Sequence, residues 1–206
     1  MKSIAFLLMV PSLLTAQHVP TAIRNVTVVD VTTTSAHRAL LRNQTIVIND
    51  DVITHLGPTA SSRIPAGATI IDGTGKYLIP GLWDMHAHVL FNGMRDPLLK
   101  LLVANGVTGI RDMGGEQLDQ LQQLKQEIAA GRILGPRIVA AGPIVDGPQP
   151  MWPFSIAVWD EESGRAAVRI LKQKGADFVK VYSTLPRTAY FAIADEARKQ
   201  QLPSSV

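Results

Sequence analysis

Two patterns of apolar and polar positions divide the chain near residue 80. Before that point, apolar residues form short runs that are rich in Val, Ile and Thr, at residues 23–31, 45–48, 52–56 and 69–71. Such runs are typical of strands, and the Asn49-Asp50-Asp51 stretch between two of them favours a hairpin turn. We therefore expect residues 18–79 to form the N-terminal part of a small β domain, a β-sandwich unit.

After Pro80 the pattern predicts strands that alternate with helices. The predicted strands are 82–88, 107–112, 137–141, 178–182 and the start of a fifth at 202–206; the predicted helices are 97–105, 117–130, 161–174 and 187–200. Leu118, Leu121, Leu124 and Ile128 form a stripe at helical spacing, which favours a helix that faces the core. The predicted fold class is α/β, with a TIM-like (β/α)8 barrel over residues 80–206.

The length of the chain affects this prediction. A complete barrel takes about 250 residues, whereas the whole sequence has 206 residues. We therefore expect an incomplete barrel, of which residues 80–206 form the first half.

The N-terminus differs from the rest of the chain. Lys2 is followed by an apolar stretch from Ile4 to Val10, too short to span a bilayer, and then by small residues at Thr15-Ala16-Gln17. This pattern predicts a signal peptide at residues 1–17, export to a periplasmic or extracellular compartment, and no stable membrane span after its removal. Pro11 and the imperfect cleavage triplet leave an ordinary apolar N-terminus as the alternative.

Composition excludes several classes of partner and of metal ligand. The net charge is +3, with 18% charged and 46% apolar residues, and the basic residues form no dense block, so neither nucleic acid nor an anionic membrane is indicated as a partner. The chain has no cysteine. Disulfides and thiolate sites are excluded, and histidine, carboxylate and lysine side chains remain for any metal chemistry.

His86 and His88 form the most informative pair. They follow Pro80-Gly81 on a predicted strand, and side chains two residues apart on a strand point to the same face. Two imidazoles on one face can bind a divalent cation at about 2.0–2.1 Å. Asp84 shares this face, one step deeper. From these residues alone, a chance pairing of histidines stays open.

Two motifs resemble a known family. The run from Ile71 through Gly73-Thr74-Gly75 to His88, and the later Gly175-Ala176-Asp177-Phe178-Val179-Lys180-Val181-Tyr182, are similar to segments of the amidohydrolase superfamily, close to its imidazolonepropionase-like and prolidase-like members. The resemblance covers residues 22–206 and corresponds to an N-terminal portion of the family pattern.

The resemblance implies a metal-dependent hydrolase that cleaves a non-peptide or dipeptide-like C–N bond of a small molecule with metal-activated water. It implies that His86 and His88 bind one or two zinc ions, and that Lys180 carries a carbamate that bridges two metals. Asp84 would orient a ligand or accept a structural hydrogen bond. An inward-facing lysine also loses its proton readily when desolvated, although a lysine that extends to solvent from the strand end is the alternative.

Other residues have weaker assignments. Tyr182, Arg111 and Asp112 are expected to border the substrate pocket, with packing as the alternative for Tyr182 and a helix cap as the alternative for Asp112. The aromatic residues of Met151-Trp152-Pro153-Phe154 would either shape substrate access or anchor a loop.

The family pattern also includes two further histidines and a proton-shuttle aspartate, which would fall beyond Val206. We therefore expect residues 1–206 alone to be inactive and poorly soluble, with the proton-shuttle residue unassigned. The alternative function is a non-catalytic, truncated amidohydrolase-like protein that binds metal weakly or serves as an interaction module. Homo-oligomer formation by the intact protein is a further expectation left open.

Overall fold

The computed structural model describes residues 19–35, 39–90, 95–115 and 117–205. The predicted signal peptide at residues 1–17 lies outside the described residues and stays a prediction. The chain divides into two compact units, one ending at Pro80 and the other beginning at Gly81. Within the described ranges, no helix has both the length and the apolar character needed to cross a membrane.

The first unit is a five-stranded sheet. Its strands are β1 (Thr21–Val29), β2 (Leu40–Asn49), β3 (Val52–Pro58), β4 (Thr69–Asp72) and β5 (Tyr77–Leu78). The order is β3-β2-β1-β4, and β5 also pairs with β1. The predicted hairpin joins β2 to β3 through Asp50, whose φ of 52° is a left-handed conformation that aspartate tolerates in turns.

This sheet corrects the predicted sandwich. β4 and β5 both run parallel to β1, so the strands of residues 19–35 and 39–80 share one sheet and form no second layer among themselves. The core of this unit is correspondingly small and includes Ala22, Val26, Ile46 and Val47. The strand β5 was not predicted, because two residues are too short to show a period.

The second unit alternates strands with helices. Its elements are β6 (Leu82–Ala87), α1 (Arg95–Ala104), β7 (Val107–Asp112), α2 (Leu118–Ala129), β8 (Arg137–Ala140), β9 (Val145–Asp146), β10 (Ile156–Ala157), α3 (Glu161–Gln173), β11 (Val179–Lys180), α4 (Arg187–Lys199) and β12 (Ser204–Ser205). β6, β7 and β8 form a parallel sheet. β9 connects to β11 through a parallel bridge between Val145 and Val181, and β11 is parallel to β12.

The predicted elements agree closely with these bounds, apart from two strands. The predicted strand 137–141 is followed by β9 and β10, which were not predicted, and the predicted strand 178–182 is regular only at Val179–Lys180. Backbone hydrogen bonds still extend this pairing, because the amide of Tyr182 donates to the carbonyl of Val145 at 3.0 Å.

The core of the second unit lies between the helices and the parallel strands. The predicted stripe on α2 packs as expected, with Leu118, Leu121 and Leu124 buried and Ile128 partly buried. Val179 and Val181 belong to the same apolar cluster. The residues between and beside these valines therefore lie on the other face of the strand, and this alternation positions the candidate site.

Candidate functional site

A cavity of about 610 Å³ opens where β6, β7 and β11 end. This volume is in the range of small-molecule sites. Five of the seven predicted site residues line it, namely His86, His88, Asp112, Lys180 and Tyr182. The parallel strands bring these residues together from positions nearly 100 apart in the sequence, because parallel strands place their C-terminal ends at one edge of the sheet.

The two histidines lie side by side. Their ring centroids are 5.5 Å apart and their planes differ by 60°. Nδ1 of His88 is 3.0 Å from the carbonyl oxygen of Gly114. A carbonyl can only accept a hydrogen bond, so Nδ1 carries a proton, and in the neutral form of the ring the lone pair is on Nε2. A metal-binding histidine typically has this arrangement.

Gly114 provides this carbonyl because of its unusual backbone. Its φ is 122°, and an added Cβ would lie 2.6 Å from Cγ1 of Ile144. Both features restrict the position to glycine. No role for Gly114 was predicted from the sequence, whereas in the structure its carbonyl is the hydrogen-bond partner of the His88 ring.

Asp84 lies away from the cavity lining and binds the backbone of the strand. Its Oδ1 accepts a hydrogen bond of 2.9 Å from the amide of His86. The pairing of β6 with β7 is irregular between Asp84 and Ala87, where three steps on β6 match two on β7. Such a bulge interrupts the strict alternation used to place Asp84 with the histidines. Asp84 therefore binds the backbone of the strand at His86.

Lys180 is buried and faces the cavity. Its Nζ lies 5.9 Å from the centroid of the Tyr182 ring. Burial lowers the pKa of Lys180, and the positive charge of Arg111 lowers it further. Both effects favour the neutral amine, which is the form that can react with carbon dioxide.

Arg111 lies outside the cavity lining. Its Nε donates a hydrogen bond of 2.9 Å to the carbonyl oxygen of Met85, and its guanidinium carbon is 5.4 Å from the centroid of the Phe178 ring. Arg111 therefore joins β7 to β6 and packs on Phe178, the residue directly before β11. Its influence on the site is electrostatic, through Lys180.

Asp112 lines the cavity and holds two loops together. It is buried, and its carboxylate accepts hydrogen bonds from the amides of Val89 at 2.9 Å and Gly114 at 3.3 Å. Burial raises the pKa of Asp112, while these two hydrogen bonds and the nearby His88 oppose the rise. These contacts fix the segments that carry His88 and its carbonyl partner.

Asp146 is a structural centre that the sequence analysis missed. It is fully buried, and its Oδ1 accepts hydrogen bonds from the Gly147 amide at 2.9 Å, the Thr184 amide at 3.0 Å and the Thr184 hydroxyl at 2.7 Å. Its Oδ2 accepts a bond of 3.1 Å from the Met151 amide. One carboxylate thus joins the loop after β9 to the loop after β11. The available signal was a carboxylate directly before a glycine, Gly147.

We expect Asp146→Asn to lower the free energy of unfolding at neutral pH by about 2–4 kcal/mol, because an amide cannot replace a buried carboxylate that accepts four hydrogen bonds. Burial by itself raises the pKa of Asp146, but the hydrogen bonds from Thr184, Met151 and Gly147 outweigh it and hold the pKa below its ordinary value. The stabilisation is therefore present above the unfolded-state pKa of about 3.9 and is lost as pH falls through the lower folded-state value.

Denaturant unfolding of both proteins at several pH values provides the measurement. The difference between wild type and variant should shrink as the pH falls below about 4. Asp160→Asn is the matched control, because Asp160 is an exposed N-cap whose carboxylate accepts hydrogen bonds from the amide and hydroxyl of Ser163, and its loss should be smaller. Equal effects of the two substitutions would contradict the role assigned to Asp146.

The donors present fit a divalent metal. His86 and His88 have adjacent rings, and the His88 tautomer leaves Nε2 able to coordinate. Within the described ranges, no three His, Cys, Asp or Glu side chains are grouped for a metal ion. The predicted set requires Lys180 as its third member, and lysine acquires carboxylate oxygens only as a carbamate. Its place in the same cavity is consistent with that requirement.

Comparisons with known proteins come from both sequence and structure. No protein-family model matches the chain. The imidazolonepropionase of Phocaeicola vulgatus is 28% identical over 83 residues, which cover 40% of this chain and 20% of that protein. The 5'-deoxyadenosine deaminase of Methanothermobacter thermautotrophicus is 44% identical over 62 residues, 28% of this chain and 14% of that protein.

A solved structure extends the similarity to most of the chain. A protein from Bifidobacterium longum, described as a possible prolidase, superposes with a TM-score of 0.75 and 29% identity. The match covers 91% of this chain and 49% of the other. The chain thus spans about half the length of this structure, and its sequence matches span a fifth or less of the curated relatives.

Proposed function

We propose that this chain, which belongs to the amidohydrolase superfamily, forms part of a metal-dependent hydrolase that cleaves a C–N bond in a small molecule. One observation carries the proposal: His86, His88 and Lys180 line a single cavity of about 610 Å³, and the proton of His88 is held on Nδ1. The related proteins are hydrolases that act on C–N bonds.

The proposal includes an incomplete barrel. The strands β6, β7, β8, β11 and β12 would be the first five strands of a (β/α)8 barrel, and β9 lies beside β11 through the bridge between Val145 and Val181. In such a barrel the active site lies at the C-terminal ends of the strands. The position of the cavity supports this arrangement.

In this proposal, His86 and His88 would hold a divalent cation, with zinc as the first candidate, and a carbamate on Lys180 would supply oxygen ligands for the metal centre. The bound metal would polarise the substrate carbonyl and make water a stronger nucleophile. The carbamate forms when the neutral Lys180 amine attacks carbon dioxide and releases one proton. The Gly114 carbonyl keeps the Nδ1 proton of His88 in place, which would leave Nε2 to coordinate a metal.

Residues of the cavity wall would orient the substrate and the loops around it. Tyr182 places a phenol beside Lys180, where it can donate a hydrogen bond to a polar group of the substrate. Asp112 accepts hydrogen bonds from the amides of Val89 and Gly114 and so holds both loops in place. We assign it a positioning role and no proton transfer.

The test uses the full-length gene product, whether or not it extends past Val206. We expect one or two divalent ions per chain and hydrolysis of members of a panel of Xaa-Pro dipeptides and cyclic amides. Dialysis against a chelator should remove the activity, and added Zn²⁺ should restore it. Elemental analysis and product chromatography provide the two measurements.

The outcomes separate the proposal from its alternative. Bound metal without turnover on any panel member would favour the non-catalytic, metal-binding protein. A metal-free protein that cannot be loaded with Zn²⁺, Mn²⁺ or Co²⁺ would contradict both.

A further inference from the structure

An aromatic pair forms one wall of the cavity. Trp152 and Phe154 lie between β9 and β10, and both line the same space as the two histidines and Lys180. Their rings are nearly parallel, with planes 15° apart and centroids 5.9 Å apart. The two side chains therefore present one continuous apolar surface.

The cavity lining has an apolar part and a polar part. Leu90, Met113, Leu121 and Ile144 add further apolar surface. The ionisable groups of the lining lie on, or just after, β6, β7 and β11, whereas the aromatic pair lies on a separate loop. A ligand that fills the cavity thus has a polar part near the histidines and Lys180 and an apolar part against the aromatic wall.

Exposure distinguishes a binding surface from a packing anchor. An aromatic side chain that anchors a loop is expected to be buried. Trp152 instead keeps 41% of its surface exposed, although its stacking partner Phe154 is partly buried. The wall is therefore available to a ligand.

The loop that carries the pair is fixed at several points. The Met151 amide donates to Asp146, and the Ser155 amide donates to the carbonyl of Trp152 at 3.0 Å. The Ile156 amide then donates to the carbonyl of Ile144 at 2.8 Å, which returns the chain to the strand it left. A surface that is already ordered binds a ligand at a low entropic cost.

We propose that Trp152 and Phe154 form a specificity subsite for an aromatic or bulky apolar group of the substrate, next to the bond that is cleaved. The inference deepens the proposed hydrolase function and rests on it for the position of that bond. It names the substrate class: small amides, cyclic amides or dipeptides with a large apolar side chain beside the C–N bond. Substrates with a methyl group at this position would leave the wall in contact with water.

The experiment compares two amide probes on the full-length gene product loaded with Zn²⁺. N-acetylphenylalaninamide and N-acetylalaninamide are titrated by calorimetry, and the hydrolysis of each is followed separately. We expect the phenylalanine probe to bind at least about tenfold more tightly, because it buries a large apolar side chain. Trp152→Ala should remove most of this preference, and Trp152→Phe, which keeps a ring, should restore much of it.

Trp159→Ala is the matched control. Trp159 is 61% exposed and lies outside the cavity lining, beside the start of α3. Its removal should leave the preference unchanged. Circular dichroism checks the fold of each variant, and Phe154→Leu provides a second test of the wall if Trp152→Ala does not fold.

The outcomes separate the subsite from the hydrolase. Preferential binding that depends on Trp152, without hydrolysis of either probe, supports the subsite and counts against the C–N hydrolase. Hydrolysis of both probes with equal kcat/KM and equal affinity overturns the subsite and leaves the hydrolase. Equal losses in the Trp152→Ala and Trp159→Ala proteins also overturn it, and so does equal binding of the two probes without hydrolysis.

Discussion

Replacement of both His86 and His88 by alanine is expected to abolish stoichiometric metal binding and, with it, hydrolysis. The two rings are adjacent, and they are the only histidines that line the cavity among the described residues. Loss of a mere hydrogen-bond partner of a metal ligand costs 10–100-fold in affinity. Loss of two ligands should therefore cost more than about 100-fold.

Metal content after gel filtration, measured by mass spectrometry, provides the readout. His55→Ala is the matched control, because His55 lies on β3 in the first unit and its Nε2 is 2.8 Å from the Ser62 hydroxyl. That variant should bind as much metal as the wild type. Equal metal content in the double variant and the wild type would exclude the histidine pair as ligands.

Lys180→Ala is expected to have the second-largest effect: loss of one bound metal and a fall in kcat to near background. The side chain is buried in the cavity, and burial and Arg111 both favour its neutral form. Alanine cannot supply the carbamate that we propose as a bridge. Bicarbonate added during metal loading should therefore increase the activity of the wild type and have no effect on the variant.

Two further variants sharpen this test. Lys174→Ala removes an exposed lysine at the end of α3 and should leave metal content unchanged. Lys180→Arg keeps a positive charge but cannot form a carbamate, since a guanidinium stays protonated. Full activity of the Lys180→Arg protein would exclude the bridge.

Local pattern was sufficient to predict much of the second unit. The strand Val107–Asp112 was predicted at its observed bounds, and α2 lies one residue inside its predicted range at each end. The apolar stripe of α2 and the alternation around Lys180 depend on side-chain periods within a single element. Such periods are visible in the sequence, whereas the expectation that His86, His88 and Lys180 share one site came from the family resemblance.

The features that were missed depend on contacts between distant segments. Asp146 acts through Thr184, 38 residues away, and no local pattern links the two. The bulge in β6 arises from its pairing with β7 and changes the place of Asp84. The role of Gly114 depends on a side chain 26 residues earlier. Each of these required the fold to be known.

The anchoring of the aromatic loop also bears on how this scaffold could be diversified. Asp146 holds that loop through the amides of Gly147 and Met151, and amides are supplied by every residue except proline. Of positions 147 and 151, position 147 must remain glycine, since an added Cβ would lie 2.0 Å from the Thr184 carbonyl oxygen. A library that randomises residues 152–154 and keeps Asp146, Gly147 and Thr184 would thus vary the substrate specificity without changing the contacts that anchor the loop.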